Sequence, residues 1–263
     1  MCAQCHGSRG SVCHAEGVDH ERFGKISVFF PMWNEEEYIN RAVDAAREAC
    51  QELIDDGEVS DYEILIVDDA STDATPRIAD ELADADPHVR VVHPPKTRKL
   101  GGSVKTGFTE AKGDLVLYTD ADLPFDMAEL KRACRLLRIY EADLICAYRF
   151  DRTGEGFQRV IYSAIYNLLV RGFFGVRVRD VNFAFKLVRR SVLDGMTLTS
   201  EGSFIDAELV VRAVKSGKQM VQFGVDYFPR TRGISTLSSP AVIVKILQEM
   251  MHLSRELRSI EAQ

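Results

Sequence analysis

The apolar run Leu115-Val116-Leu117-Tyr118-Thr119 stops abruptly at two carboxylates, Asp120 and Asp122, one residue apart. Its Val, Leu and Tyr content is that of a strand, and Gly113-Asp114 before it supplies turn chemistry. Parallel strands covered on both faces read as continuous apolar runs, and ligands of open α/β sheets sit outside the carboxyl ends of the strands. Two acids at such an end make poor core. They could seat a hard divalent cation, which would in turn hold a diphosphate. They could equally be N-cap residues opening the next helix. The run alone does not separate the two.

Its context does more. Lys25–Phe30 predicts a buried strand ended by Pro31, and Asn34-Glu35-Glu36-Glu37 predicts an acidic helix start running to Cys50–Leu53. Tyr62–Val67 predicts a second strand ended by Asp68-Asp69; Ser71-Thr72-Asp73 would cap the following helix, with Pro76 in its first turn. A short strand at Val89–Val92 leads through Pro94-Pro95 into a basic, glycine-containing loop, Lys96–Ser103, and a helix over Val104–Ala111. Beyond the opening strand come a helix over Ala128–Arg138 and a strand over Ala142–Ala147. Strand–helix alternation of this kind predicts an α/β domain, Rossmann-like, with a mostly parallel central sheet and helices on both faces. Three strand ends then carry polar residues: Trp33-Asn34-Glu35, Asp68-Asp69 and Asp120-Ala121-Asp122. In one parallel sheet all three fall on the same edge. Helix capping explains any one of them and explains the convergence less well.

Composition sets outer bounds. With 263 residues, 46% hydrophobic, the chain fits one large globular domain or one domain with an appendage. A net charge of −7 argues against nucleic acid as a partner. No apolar run approaches the roughly 20 residues needed to span a bilayer, and the start does not read as a signal peptide. The expected location is the cytoplasm, including the inner face of the membrane. Residues 1–23, rich in Cys, His, Gly and Ser, predict a disordered tail. Its Cys2-Ala3-Gln4-Cys5-His6 matches a haem-attachment pattern that would require export. Cys2, Cys5 and Cys13 with one of His6, His14 or His20 would give a zinc knuckle that lacks a second clear pair. Cys50, Cys134 and Cys146 read as small buried hydrophobes.

At this point the sequence resembles the family 2 glycosyltransferases of GT-A fold, and within them the branch that transfers mannose or glucose to polyprenyl (dolichyl) phosphate. The matching pieces are Pro31–Glu37, Val67–Asp73, Gly101–Phe108, Thr119–Leu123, Tyr148-Arg149, Asp180–Lys186 and Arg230–Ser235. The resemblance implies a transferase domain over 24–238 followed by a C-terminal amphipathic helix over 239–263. It implies that Pro31, Trp33, Asn34 and Glu35 flank the nucleotide, and that Asp68 and Asp69 contact base and ribose. Gly101, Gly102, Lys105, Arg149 and Lys186 would belong to the substrate site. Asp120 and Asp122 resemble the D-x-D pair that holds Mg²⁺ or Mn²⁺ against the donor diphosphate, a Lewis-acid role. Arg230 and Arg232 would grip the leaving diphosphate with their planar forks. The branch often carries Gln two residues after the second Asp; here that residue is Pro124, so Asp126 or water would complete the metal shell.

The acceptor is read from Phe157–Phe174, where Phe157, Val160, Ile161, Ala164, Ile165, Leu168 and Leu169 recur at helical spacing. This is either a half-inserted amphipathic helix guiding a polyprenyl chain or a helix packed on the core. Arg159, Arg171, Arg177 and Arg179 around it suit an anionic lipid head. A second stripe, Val242, Ile243, Ile246, Leu247, Met250, Met251 and Leu253, is a membrane-surface helix, a dimer helix or a lid. The resembling branch inverts the anomeric centre. A phosphate acceptor needs no strong base, whereas a sugar hydroxyl does. Asp206, with Glu208 second, resembles that base, the bland alternative being an acid-rich helix start. The expectation is hexose transfer from GDP-mannose or UDP-glucose to a polyprenyl phosphate. The alternatives are a glycan or glycolipid hydroxyl acceptor, a nucleotidyltransferase, and a nucleotide- or lipid-binding module. A homodimer or a membrane-anchoring partner is a further expectation.

Overall fold

In the computed structural model the described residues are 22–151, 157–228 and 240–260. Seven strands form one sheet: β1 (Phe23–Met32), β2 (Val59–Asp68), β3 (Val89–Val92), β4 (Leu115–Thr119), β5 (Leu144–Arg149), β6 (Phe185–Arg189) and β7 (Met220–Val225). Their order is β3-β2-β1-β4-β6-β5-β7, and β6 alone runs antiparallel to its neighbours. The helices are α1 (Ile39–Asp55), α2 (Thr75–Ala85), α3 (Lys99–Glu110), α4 (Glu129–Ile139), α5 (Phe157–Phe174), α6 (Arg190–Asp194), α7 (Ile205–Lys215) and α8 (Pro240–Ser259).

The two-residue period of the strands builds two cores. Ile26, Val28 and Phe30 of β1 with Ile64 and Ile66 of β2 face α1, α2 and α4. Phe29, Leu65, Val67, Val116 and Tyr118 face α3, α5, α7 and α8 on the other side. The expected mostly parallel sheet covered by helices on both faces is thus the observed one.

Several boundaries differ from the expectation for physical reasons. β1 continues through Pro31 to Met32, because its ladder with β4 ends at Phe29 and the proline breaks no bond there. It also starts at Phe23, paired with Val59 and stacked under the guanidinium groups of Arg138 and Arg189. Asn34–Glu37 does not open α1, which begins at Ile39; the segment forms turns tied to the next loop. Gly101-Gly102-Ser103 is not loop but the first part of α3. A Cβ on Gly101 would stand 2.4 Å from the Ser200 carbonyl oxygen, so glycine here lets α3 approach the Ser200-Glu201 backbone. β5 lies two residues later than expected.

α5 spans the expected residues, but its buried line is Tyr166, Val170 and Phe174, while Ile161, Ala164, Ile165 and Leu168 point outward. α8 covers the α7 side of the sheet through Ile246, Met250, Leu253 and Leu257, which is the lid arrangement. The Cys/His tail up to residue 21 and the Arg230–Ser235 motif lie outside the described residues, as do the side chains of Phe157, Arg159, Val242 and Ile243.

Candidate active site

Parallel pairing sends β1, β2 and β4 out at one sheet edge, with Met32 opposite Asp68 and Phe29 opposite Tyr118. Each exit turns through a left-handed non-glycine residue: Asn34 (φ 56°), Ala70 (φ 58°) and Leu123 (φ 46°). Such backbone costs on the order of 1–3 kcal/mol per residue and persists only where the surroundings fix it.

The surroundings of the first two exits are a web of side chain–backbone hydrogen bonds. Ser71 Oγ accepts from Asn34 N (2.9 Å), Asn34 Oδ1 accepts from Thr72 N (2.8 Å), and Thr75 Oγ1 accepts from Glu35 N (2.9 Å). Glu36 accepts from Ala74 N at 2.8 Å, and Asp73 accepts in return from Glu36 N at 3.2 Å. Asp68 and Asp69 are buried beneath this web. Asp68 accepts from Ser71 N (3.1 Å) and from His93 Nδ1 (2.8 Å). Asp69 holds the following loop by accepting from Thr97 Oγ1 (2.7 Å) and Arg98 N (2.6 Å). Trp33 projects from the edge, 56% exposed.

Asp120 and Asp122, at the β4 exit, line a cleft of about 170 Å³ together with Arg149, Asn182 and Tyr227. Its other wall is apolar: Ile165, Tyr166 and Leu169 from α5, and Ile246 and Leu247 from α8. Arg149 is clamped bidentately by Asp180 (2.6 and 2.9 Å) and lies over the rings of Phe183 and Tyr227. Tyr166 Oη and Asn182 Oδ1 have no hydrogen-bond partner among the described residues. A buried hydroxyl left so costs about 1–3 kcal/mol, which a polar ligand atom would recover.

Behind the cleft floor, Lys186 is fully buried on β6, donating to the Phe183 carbonyl, with its Nζ 4.0 Å from Asp206 Oδ1. Asp206, in the first turn of α7, is buried too. Desolvation raises its pKa to about 6; Lys186 opposes that rise and the charge of Asp180 adds to it. The phenol of Tyr118 is pushed well above its ordinary value by burial, then by the charges of Asp206, Asp120 and Asp122. Glu208 does something different, accepting from Thr199 N, Ser200 N and Arg212 Nε. Burial would raise its pKa, but these donors lower it overall, and the carboxylate serves as a tie for the 199–200 loop.

Not every expected residue reaches the cleft. Gly101 and Gly102 are packing positions in α3, and Lys105 pairs with Glu201 at 2.6 Å beside a separate depression lined by Phe108 and Arg190. Asp126, exposed in the turn before α4, accepts from Ala128 N at 2.9 Å through one oxygen. Among the described residues no group of three or more His, Cys, Asp or Glu side chains is gathered around a cation site. Asp120 and Asp122 offer hard oxygen ligands of the kind that would fit Mg²⁺ or Mn²⁺ if phosphate oxygens and water supplied the remainder. Sequence reasoning missed His93 and assigned no role to Asp180, Asn182 or Tyr166. His93 follows β3 at the same edge, so the rule that selected the other strand ends reaches it as well.

A nucleotide-type α/β sheet with a carboxylate pair at its central exit is shared by more than one class of enzyme, and comparison narrows the choice. The family model described as Glycosyl transferase family 2 matches residues 27–196. The chain belongs to this family, and its fold is GT-A. Glycosyltransferase AglD of Haloferax volcanii is 31% identical over 84% of this chain and 35% of its own length. Polyprenol monophosphomannose synthase of Mycolicibacterium smegmatis is 31% identical over 80% of each chain. Undecaprenyl-phosphate 4-deoxy-4-formamido-L-arabinose transferase of Proteus mirabilis is 28% identical over 70% of this chain and 54% of its own. The chain thus spans about a third of the first relative and about half of the third. Among solved structures, glucosyl-3-phosphoglycerate synthase of Mycobacterium tuberculosis, crystallised with Mn²⁺, UDP-glucose and phosphoglyceric acid, superposes with a TM-score of 0.68. It covers 88% of this chain and 80% of its own at 20% identity.

Proposed function

We propose that this protein transfers a hexose, with inversion at C1, from a nucleoside diphosphate sugar of the GDP-mannose or UDP-glucose type to a polyprenyl phosphate. The observation that carries this reading is the cleft itself, which runs from the Asp120–Asp122 pair to an apolar wall between α5 and α8. A substrate with an anionic head, met by Arg149 and by a cation on the acidic pair, and a hydrocarbon tail along the apolar wall matches both ends. The relatives that act on polyprenol or undecaprenyl phosphate support the same class of acceptor.

In this scheme Asp120 and Asp122 hold Mg²⁺ or Mn²⁺, whose bound form supplies Lewis-acid neutralisation of the departing diphosphate. Trp33, Asn34, Glu35 and Pro31 border the nucleoside, Asp68 and Asp69 accept from its N–H and O–H groups, and Arg230 with Arg232 grips the leaving phosphates. Arg149, fixed by Asp180, sets a positive charge in the cleft for the acceptor phosphate, and Lys186 balances Asp206 beneath it. The phosphate oxygen attacks C1 directly and needs no deprotonation near neutral pH. Among the described residues no helix is long and apolar enough to cross a membrane. The outward Ile161, Ile165 and Leu168 with exposed Arg171 and Arg177 suit α5 to rest on the anionic inner leaflet.

The test is transfer of labelled mannose or glucose to a polyprenyl phosphate in the presence of Mn²⁺, the expected product being a lipid-linked sugar. Transfer to water or to a glycan hydroxyl alone would overturn the acceptor assignment. A hydroxyl acceptor is the second reading, favoured by the raised pKa of buried Asp206, which suits a base. Near-total loss of turnover in Asp206→Asn with donor binding intact would select it.

A further inference from the structure

The end of β3 holds a histidine bridged between two carboxylates. His93 Nδ1 lies 2.8 Å from Asp68 Oδ2 and Nε2 lies 3.1 Å from Asp80 Oδ1. A neutral imidazole has one donor and one acceptor nitrogen, so it would turn a lone pair toward one of these carboxylates. Only the imidazolium donates to both. The two partners differ in kind: Asp68 is buried at the β2 exit, whereas Asp80 is an exposed residue of α2. These are the ionisable groups acting on the ring; Arg90 on the same strand is committed to Glu63 at 2.8 Å. Burial alone would lower the pKa of His93, but the bonds and charges of Asp68 and Asp80 raise it overall.

Asp68 has one oxygen on Ser71 N and the other on His93. A carboxylate oxygen can accept more than one hydrogen bond, so each retains capacity for a ligand. Walled in as it is, the group cannot turn to find one, and its aim is set by what holds it. We propose that His93 is a positioning residue for the donor nucleoside: bridged between Asp68 and Asp80, it fixes the Asp68 carboxylate in the orientation that accepts the nucleoside's N–H or O–H groups. Donor affinity then falls as the ring loses its second proton. This rests on the assignment of Asp68 to the nucleoside made above.

The experiment is titration of UDP and GDP into the full chain at fixed Mn²⁺ between about pH 5.5 and 8.5, a range that brackets titration of a raised histidine. Wild type is compared with His93→Gln, Asp80→Asn and Asp68→Asn. His93→Gln serves as the reference for the nucleotide's own phosphate titration, which all variants share. The affinity of wild type should fall about tenfold with rising pH relative to His93→Gln, the scale of losing a charge-assisted hydrogen bond. Asp80→Asn should bind like wild type at the acid end but lose affinity at a lower pH, because the ring has lost one stabilising charge. In turnover, His93→Gln should raise the donor KM and leave kcat unchanged. If His93→Gln and Asp80→Asn both follow the wild-type curve while Asp68→Asn binds weakly, His93 does not position Asp68 and the inference fails alone. If Asp68→Asn itself binds as wild type, the nucleoside assignment fails and the inference with it. Thermal unfolding of each variant checks that the fold survives.

Discussion

The two sides of the site are built by different physics. On the β1–β2–β3 side the edge is shaped by polar side chains that accept from backbone N–H groups of neighbouring loops, as Asn34, Asp68, Asp69 and Asp73 do. On the β5–β6–α7 side it is shaped by buried charges that balance one another, Arg149 with Asp180 and Lys186 with Asp206, beneath an apolar wall. The first arrangement suits a ligand rich in hydrogen-bonding edges, such as a nucleoside. The second suits an anionic head joined to hydrocarbon. Asp120 and Asp122 stand between them, where a diphosphate leaving one side would meet an acceptor from the other.

Breaking the junction should have the largest effect. Asp122→Asn is expected to lower transfer by roughly a thousandfold, since Lewis-acid stabilisation is worth several kcal/mol. Initial rates at saturating donor with Mn²⁺ check this, and an unchanged melting temperature shows the loss is chemical. Next comes a buried pair on the acceptor side. Asp180→Ala removes the bidentate carboxylate partner of the buried Arg149 guanidinium and should destabilise the fold by about 3–5 kcal/mol in denaturant titration. Asp69→Ala on the nucleoside side releases Thr97 and the Arg98 N–H, groups near the surface, and should cost only about 1–3 kcal/mol. Equal costs would remove the contrast drawn between the two sides.

Asp206 offers a pH signature for the buried-charge side. Its pKa is about 6 in the fold against an ordinary 3.8, so the folded state binds more protons between those values. The stability linked to the proton is full below the ordinary value and is lost as pH rises through the folded one. Wild type should therefore lose on the order of 1–3 kcal/mol relative to Asp206→Asn between about pH 4 and 6, and hold level above that. A difference that grows in the opposite direction would mean the carboxyl is not desolvated. The smallest change in stability, within about 0.5 kcal/mol, is expected for Leu168→Glu on the outward face of α5. Binding to anionic vesicles should weaken all the same.

The β1–β2–β3 side was the more legible of the two from sequence. β2 and β4 are buried on both faces and end in acids, so their exits could be placed without a structure. The start of α3 was hidden because Gly101 and Gly102 read as loop, and the close approach that requires Gly101 is to Ser200-Glu201, a hundred residues away. α5 is apolar on more than one face, so spacing could not say which line is buried; the answer came from contact with α7 and α8. The Arg149–Asp180 clamp and the Lys186–Asp206 pair join separate elements, and no local pattern announces them. Asp126 was expected beside the acidic pair on sequence proximity; the structure shows one of its oxygens accepting from Ala128 N in the turn before α4, a local bond that sequence proximity does not foretell.

Two-substrate kinetics test the division of labour most directly. With GDP-mannose or UDP-glucose and polyprenyl phosphates of increasing chain length, Asp69→Ala should raise the donor KM and leave the acceptor KM alone. Leu247→Asp, in the apolar wall, should raise the acceptor KM, most for the longest chains, and leave the donor KM alone. If Leu247→Asp instead weakens the donor, or if chain length has no effect on the wild type, the cleft between α5 and α8 is not the acceptor's path and the central claim is wrong.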